Sequence, residues 1–164
     1  MSSAEPPPLD PDRLAEAVNL LPAPVVVIGA AVAGERGGLT AAWLTRVSHE
    51  PPLILVSIGH ERYTYGLLCD SQHFTVSILQ EGQVDLGRHF GLQSRREVDK
   101  WASVPSVLLG GQFPALARCA ARLLCATRDR FRTGDHDCFV GEIIQAAVVD
   151  GGPALPMRGE DYRP

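Results

Sequence analysis

Gly37-Gly38-Leu39-Thr40-Ala41-Ala42-Trp43-Leu44-Thr45-Arg46-Val47-Ser48-His49-Glu50-Pro51-Pro52 is the stretch on which the reading of this chain turns. A strand-like run, Val25 to Ile28, precedes it across a glycine-rich turn, Gly34 to Gly38. Another, Leu53 to Ile58, follows the double proline. Small residues at Thr40, Ala41 and Ala42 let a backbone approach a flat ligand, while Thr40, Thr45 and Ser48 carry hydroxyl donors. Two readings fit: a plain hairpin with an edge proline, and a cradle for an anionic cofactor. Two nucleotide motifs are excluded. G-x-G-x-x-G must open a helix, but Gly34, Gly37 and Gly38 are wrongly spaced and precede β-type residues, and Gly-Lys-Ser/Thr is absent.

The surrounding chain bounds the classes open to it. Its 164 residues, 45% hydrophobic and 21% charged, suit one globular domain over residues 10–164 behind a Pro-rich lead-in at residues 1–9. A net charge of −4 without a basic run argues against nucleic acid as partner. Pro24 and Gly29 bracket the most apolar segment, so no membrane span is expected. The acidic N-terminus does not read as a secretory signal, and the expected location is cytoplasmic. Cys69, Cys119, Cys125 and Cys138 form no C-x-x-C pair and read as reduced, buried thiols. His49, His60, His73 and His89 lack metal-ligand spacing, and G-x-S-x-G is absent, which leaves neither a metal centre nor a hydrolase nucleophile.

In chain order, Asp10-Pro11 starts a helix as N-cap and first helical residue, with Leu14, Val18 and Leu21 at helical spacing up to Pro22. Strands are expected at 25–33, 39–47, 53–59 and 73–79. A helix over Gly82 to Phe90 stops at Gly91, and Ser94 with Glu97 reads as a capping box opening a further turn through Val98 and Trp101. Gly110-Gly111 reads as a turn. Two long strands, Leu116 to Arg128 and Cys138 to Val149, are then joined by Asp129 to Asp137. Strands without β-α-β alternation favour a mainly β barrel with a few helices over a parallel sheet.

The residues carry a resemblance across positions 22–163. Leu39 to Thr45, Val47-Ser48 and Pro51-Pro52-Leu53 resemble the first signature of the flavin reductase family with the FMN-binding split β-barrel. Gly37 stands where that family usually has Asn, and Ala42 where it has a polar residue. Phe74 to Leu79, Gln83, Leu86, Phe90-Gly91 and Asp99-Lys100-Trp101 resemble its central segment, with Ser77 and Gly87 replacing the usual Asn and Ala. Gly134-Asp135-His136 ahead of Phe139-Val140-Gly141 resembles its second signature, and Arg158 with Tyr162 matches its ending.

The resemblance implies a split barrel, a homodimer and hydride transfer from NADH or NADPH to FMN or FAD, with a flavin-dependent monooxygenase as one consumer of reduced flavin. It places His136 beside the flavin ring and the nicotinamide as the catalytic candidate. Thr40, Ala41, Ala42, Trp43 and Thr45 would wall the ring. Thr45, Ser48, Arg62 and Thr64 would hold the ribityl phosphate, with Ser57, Gly59, Phe90 and Gly91 lining the site and Arg158 and Tyr162 closing over it. By residue type alone, Arg62 and His136 are equally at home as solvated turn residues. Two other readings stay open: a tight FMN-binding electron carrier of the flavoredoxin kind, suggested by Trp43, and a homologue without flavin, suggested by Gly37 and Ala42.

Overall fold

The computed structural model describes residues 7–94 and 98–163. Asp10 caps the helix Pro11–Val18 (α1) as its spacing predicts, its carboxylate accepting from the Asp12 and Arg13 amides at 3.0 and 3.5 Å. The helix closes at Val18 rather than Pro22. None of its residues is buried, and Leu14, Val18, Leu20 and Leu21 are all exposed.

Seven antiparallel strands follow: Val26–Val32 (β1), Glu35–Ala41 (β2), Leu44–Ser48 (β3), Leu53–Gly59 (β4), His73–Ile78 (β5), Ala121–Thr133 (β8) and His136–Val148 (β9). Two short strands, Ser106–Leu109 (β6) and Phe113–Leu116 (β7), form a separate hairpin on the expected Gly110-Gly111 turn, where both glycines have positive φ. The order across the large sheet is β2-β1-β5-β8-β9-β4-β3. Its two edges, β2 and β3, are consecutive in sequence and joined only by Ala42 and Trp43. Three Cα steps span at most about 11 Å, so the edges have to meet. The sheet therefore curls round, and one core holds Leu39 from the first edge, Ile54 and Val56 from beside the other, and Ile28, Val76, Cys125 and Phe139 from between. A second core, with Val25, Val27, Phe90 and Trp101, lies under the helix Val84–Leu92 (α3).

Several expectations are corrected. The first turn is Ala33-Gly34 alone, and Gly37 and Gly38 lie inside β2. They are there for close packing. A Cβ on Gly38 would come within 2.7 Å of Phe90, and one on Gly37 within 2.8 Å of Leu67. The expected strand 39–47 is the end of β2 plus β3, divided where the chain changes sheet edge. The long hairpin starts later and turns more tightly than expected, at Gly134-Asp135, because Asp129 to Thr133 remain paired with β9 although exposed on both faces. Exposure there removes the alternation that would have betrayed the strand. The chain from Tyr63 to Asp70, read as following a polar turn, is a helix (α2) with Leu68 in the core. Helix α3 runs through Gly91 to Leu92. Glu97 of the expected capping box lies outside the described residues. Cys119, Cys125 and Cys138 are buried and Cys69 is half-buried. Among the described residues no helix is long and apolar enough to cross a membrane.

Candidate active site

A cleft of about 170 Å³ opens between the start of α2 and the end of α3, lined by Leu39, Arg62, Thr64, Gly91, Ser94 and Lys100 among others. The chemistry of its walls suits an anion. Arg62 is the N-cap of α2, but its side chain does not cap. Helix-starting amides without a side-chain cap, together with the positive end of the helix dipole, favour negative charge. The Arg62 guanidinium instead reaches the Gly91 carbonyl at 3.3 Å and the Glu61 carboxylate at 3.2 Å. Thr64, in the first turn, is 2% exposed, so any contribution to a bound group comes mainly from its amide.

Lys100 is the member of this cleft that sequence reasoning left without a role. Its Nζ, in a residue only 4% exposed, donates to the Phe90 carbonyl at 2.7 Å and the Gly38 carbonyl at 3.0 Å. An ammonium has three donors, and these bonds use two. Burial, reinforced by the nearby Arg62 charge, lowers its pKa from 10.5 to about 8. The Asp99-Lys100-Trp101 motif was visible in the sequence. Its adjacency to Arg62 was not, because α2 that brings them together was not predicted.

A second group of residues gathers at the end of β4. Gly59 pairs with His136 across the sheet, the His60 amide donates to the Asp135 carbonyl at 3.3 Å, and the Arg62 amide donates to Gly59 at 3.3 Å. The hairpin tip and the anion cleft are therefore joined by three residues of backbone. The His136 ring lies 4.7 Å from that of Trp43, tilted 37°, and its Nδ1 is 2.7 Å from Asp135 Oδ1. The Asp135 carboxyl is held below its usual range by that bond. Trp43 is 62% exposed and accepts the Ser57 amide through its carbonyl at 2.9 Å.

The other expected site residues are differently placed. The Thr40 hydroxyl donates to the Gly87 carbonyl at 2.6 Å, tying β2 to α3. Ala41 points into the first core, so only its backbone is presented outward, and Ala42 beside it is half-buried. Thr45 and Ser48 lie along the edge strand β3, where the Thr45 hydroxyl donates to the neighbouring Arg46 carbonyl at 3.5 Å. Phe90 is fully buried beneath Gly38, and Gly91 lines the cleft. Arg158 is exposed just before the closing 3-10 turn Gly159–Tyr162. The Tyr162 ring lies over α3: a Cβ on Gly87 would come within 2.4 Å of its hydroxyl, and one on Gly91 within 3.7 Å of its ring. That hydroxyl is buried without a hydrogen-bond partner, and burial raises its pKa. Sequence reasoning also missed a buried acid, Asp137, which accepts from His60 Nε2 at 2.8 Å and from the Tyr65 hydroxyl at 3.0 Å.

A family model described as the flavin reductase like domain matches residues 18–164. The chain belongs to the flavin reductase-like family. Among its relatives is the reductase component of a 4-nitrophenol 4-monooxygenase/4-nitrocatechol 2-monooxygenase from Rhodococcus opacus. That protein is 31% identical, over 93% of this chain and 80% of its own length. A stachydrine N-demethylase reductase subunit from Rhizobium meliloti is 35% identical over 82% of this chain, which spans only 57% of that protein. The solved NADH:FAD oxidoreductase of Streptomyces globisporus C-1027 has the same fold, with a TM-score of 0.84, 31% identity and 94% of each chain covered. That protein has also been solved in complex with NAD and FAD fragments.

Proposed function

We propose that this flavin reductase-like chain oxidises NADH or NADPH and reduces FMN or FAD, releasing or relaying reduced flavin to a partner such as a flavin-dependent monooxygenase. The observation that carries the reading is the joining of two sites by Gly59 to Arg62: a cleft lined by Arg62 and Lys100 at the start of α2, and an imidazole 4.7 Å from an exposed indole. A monooxygenase reductase component, an N-demethylase reductase subunit and an NADH:FAD oxidoreductase among its relatives support it. The donor, a cytosolic metabolite, supports the cytoplasm as the place of work.

Arg62, the α2 amides and the spare Lys100 donor would hold the flavin phosphate, since each offers charge or N–H to an anion. Trp43, Ala42 and the backbone of Thr40 and Ala41 would wall the ring, and Tyr162 with Arg158 would close the far side. Bound flavin supplies the chemistry, accepting a hydride from the nicotinamide. The protein's part is to align donor and acceptor and keep water and other oxidants away. His136 would orient the nicotinamide, its ring fixed by Trp43 on one side and Asp135 on the other. The near-closed sheet supports the split-barrel form, and exposed apolar residues on β3 and β9 support a homodimer.

Steady-state assays test this. The purified chain should consume NADH or NADPH at a rate that saturates with added FMN or FAD and falls to background without flavin. Nicotinamide consumption independent of flavin would count against the reading.

A further inference from the structure

The turn that carries His136 is anchored from one neighbouring residue. His60, just beyond the end of β4, donates its amide to the Asp135 carbonyl at 3.3 Å and its ring Nε2 to Asp137 Oδ1 at 2.8 Å. It therefore grips the residues on both sides of His136, through two different groups. A carboxylate offers only acceptors, so the His60 proton facing it sits on Nε2. Asp137 is itself a fixed point. Its nearly buried carboxylate also accepts from the Tyr65 hydroxyl at 3.0 Å and lies 3.7 Å from Arg130 Nε, and the His60 bond holds it below the usual carboxylate range. Tyr65 is braced in turn. Its bond with Cys69 and its burial push its pKa up to about 12, so it stays a donor, and its ring meets the buried Phe139 edge-on at 6.1 Å.

The groups that touch the His136 ring give less support of their own. Asp135, whose Oδ1 lies 2.7 Å from Nδ1, is an exposed side chain on the turn, and Trp43 is exposed as well. Exposed charge pairs fix little. The ladder between β4 and β9 ends at the Gly59–His136 pair, and the two His60 bonds carry the hold past that end. Asp137 shares a face of β9 with the core residue Phe139, while His136 takes the other face. A grip on Asp137 from the core side thus fixes His136 without crowding its ring. We propose that His60 is a positioning residue for hydride transfer, clamping Asp135 and Asp137 against the end of β4 and so setting the direction of the His136 imidazole. The inference rests on the reading that His136 orients the nicotinamide.

Steady-state kinetics with saturating flavin and the nicotinamide donor that the chain uses test it. His60→Ala removes the ring bond and leaves the amide bond. It should lower kcat/KM for the donor about tenfold, mostly in kcat, because a misaligned donor still binds. Flavin Kd and melting temperature should stay near wild type. His60→Gln, which keeps an N–H of similar reach, should restore most of the rate. A double-mutant cycle separates positioning from bracing. If His60 acts through His136, adding His60→Ala to His136→Ala should cost less than about twofold more. Should His60→Ala fail to fold, His60→Leu, which fills the space of the ring without its N–H, takes its place in the cycle. An equal tenfold loss in both backgrounds would overturn the inference, as would a His60→Ala chain at full speed when His136→Ala is slow. A loss confined to melting temperature or flavin Kd would reduce His60 to a structural brace and equally overturn it. His136→Ala as fast as wild type would instead remove the reading on which the inference rests, and the inference with it.

Discussion

His136 meets a Trp43 ring, an Asp135 carboxylate and the β4 backbone, and none of these contacts contributes to either apolar core. Its removal should therefore spare folding and flavin binding while loosening the nicotinamide. Misplacing a reacting carbon by about 1 Å can cost on the order of a hundredfold in rate. His136→Ala should accordingly stay yellow and lose about 1–3 kcal/mol in kcat/KM for the nicotinamide donor. A variant as fast as wild type would make His136 an ordinary hairpin residue. Lys100 gives a pH signature. With a folded pKa of about 8 against the ordinary 10.5, the folded chain binds fewer protons than the unfolded chain between those values. Its burial penalty is thus fully present below pH about 8 and relieved as pH rises toward 10.5. The charge that would meet a phosphate is lost over the same rise. FMN affinity should weaken as pH rises above about 8, while riboflavin, with no phosphate, should show no such loss. Parallel titrations of the two ligands check this, and identical pH profiles would remove Lys100 from the phosphate site.

At the scale of elements, β2 is where sequence and structure part most instructively. Gly37 and Gly38 looked like turn residues because glycine so often is one. In the fold they are strand residues whose missing side chains admit Leu67 of α2 and Phe90 with Trp101 of the second core. Gly38→Ala should cost about 1–3 kcal/mol by overpacking, measured as a lowered denaturation midpoint with an unchanged m-value. A neutral result would mean that Phe90 and Trp101 shift freely. Strands β1, β4 and β5 were readable from apolar, β-branched runs, and α1 and α3 from caps and helical spacing. Helix α2 was not, because Tyr63-Thr64-Tyr65-Gly66 has neither a polar face nor strong helix formers, and tertiary packing of Leu68 decides it. The site suffered for that omission. Arg62, Thr64, Gly59 and His136 were named from motif positions. Lys100 and the His60–Asp137–Tyr65 group were not, since each depends on where α2 lies.

At the scale of the molecule, the decisive feature is the two-residue link through Ala42 and Trp43, which brings the sheet edges together beside the site. Apolar side chains left exposed on the sheet include Val47 on β3 and Ile144 and Val148 on β9, the last 81% exposed. A twofold partner would cover such surface, and closed dimers are the commonest assembly. Light scattering should return about twice the 17.6 kDa chain mass, and a monomer at micromolar protein with flavin present would refute the dimer. The central claim is that this chain moves a hydride from nicotinamide to flavin, and anaerobic mixing tests it most directly. Flavin-loaded protein, mixed with NADH and in parallel with NADPH under argon, should lose its yellow absorbance with at least one donor, far faster than free flavin does. Flavin that stays bound and yellow with both donors, yet bleaches with dithionite, would contradict the claim and leave an electron carrier in its place.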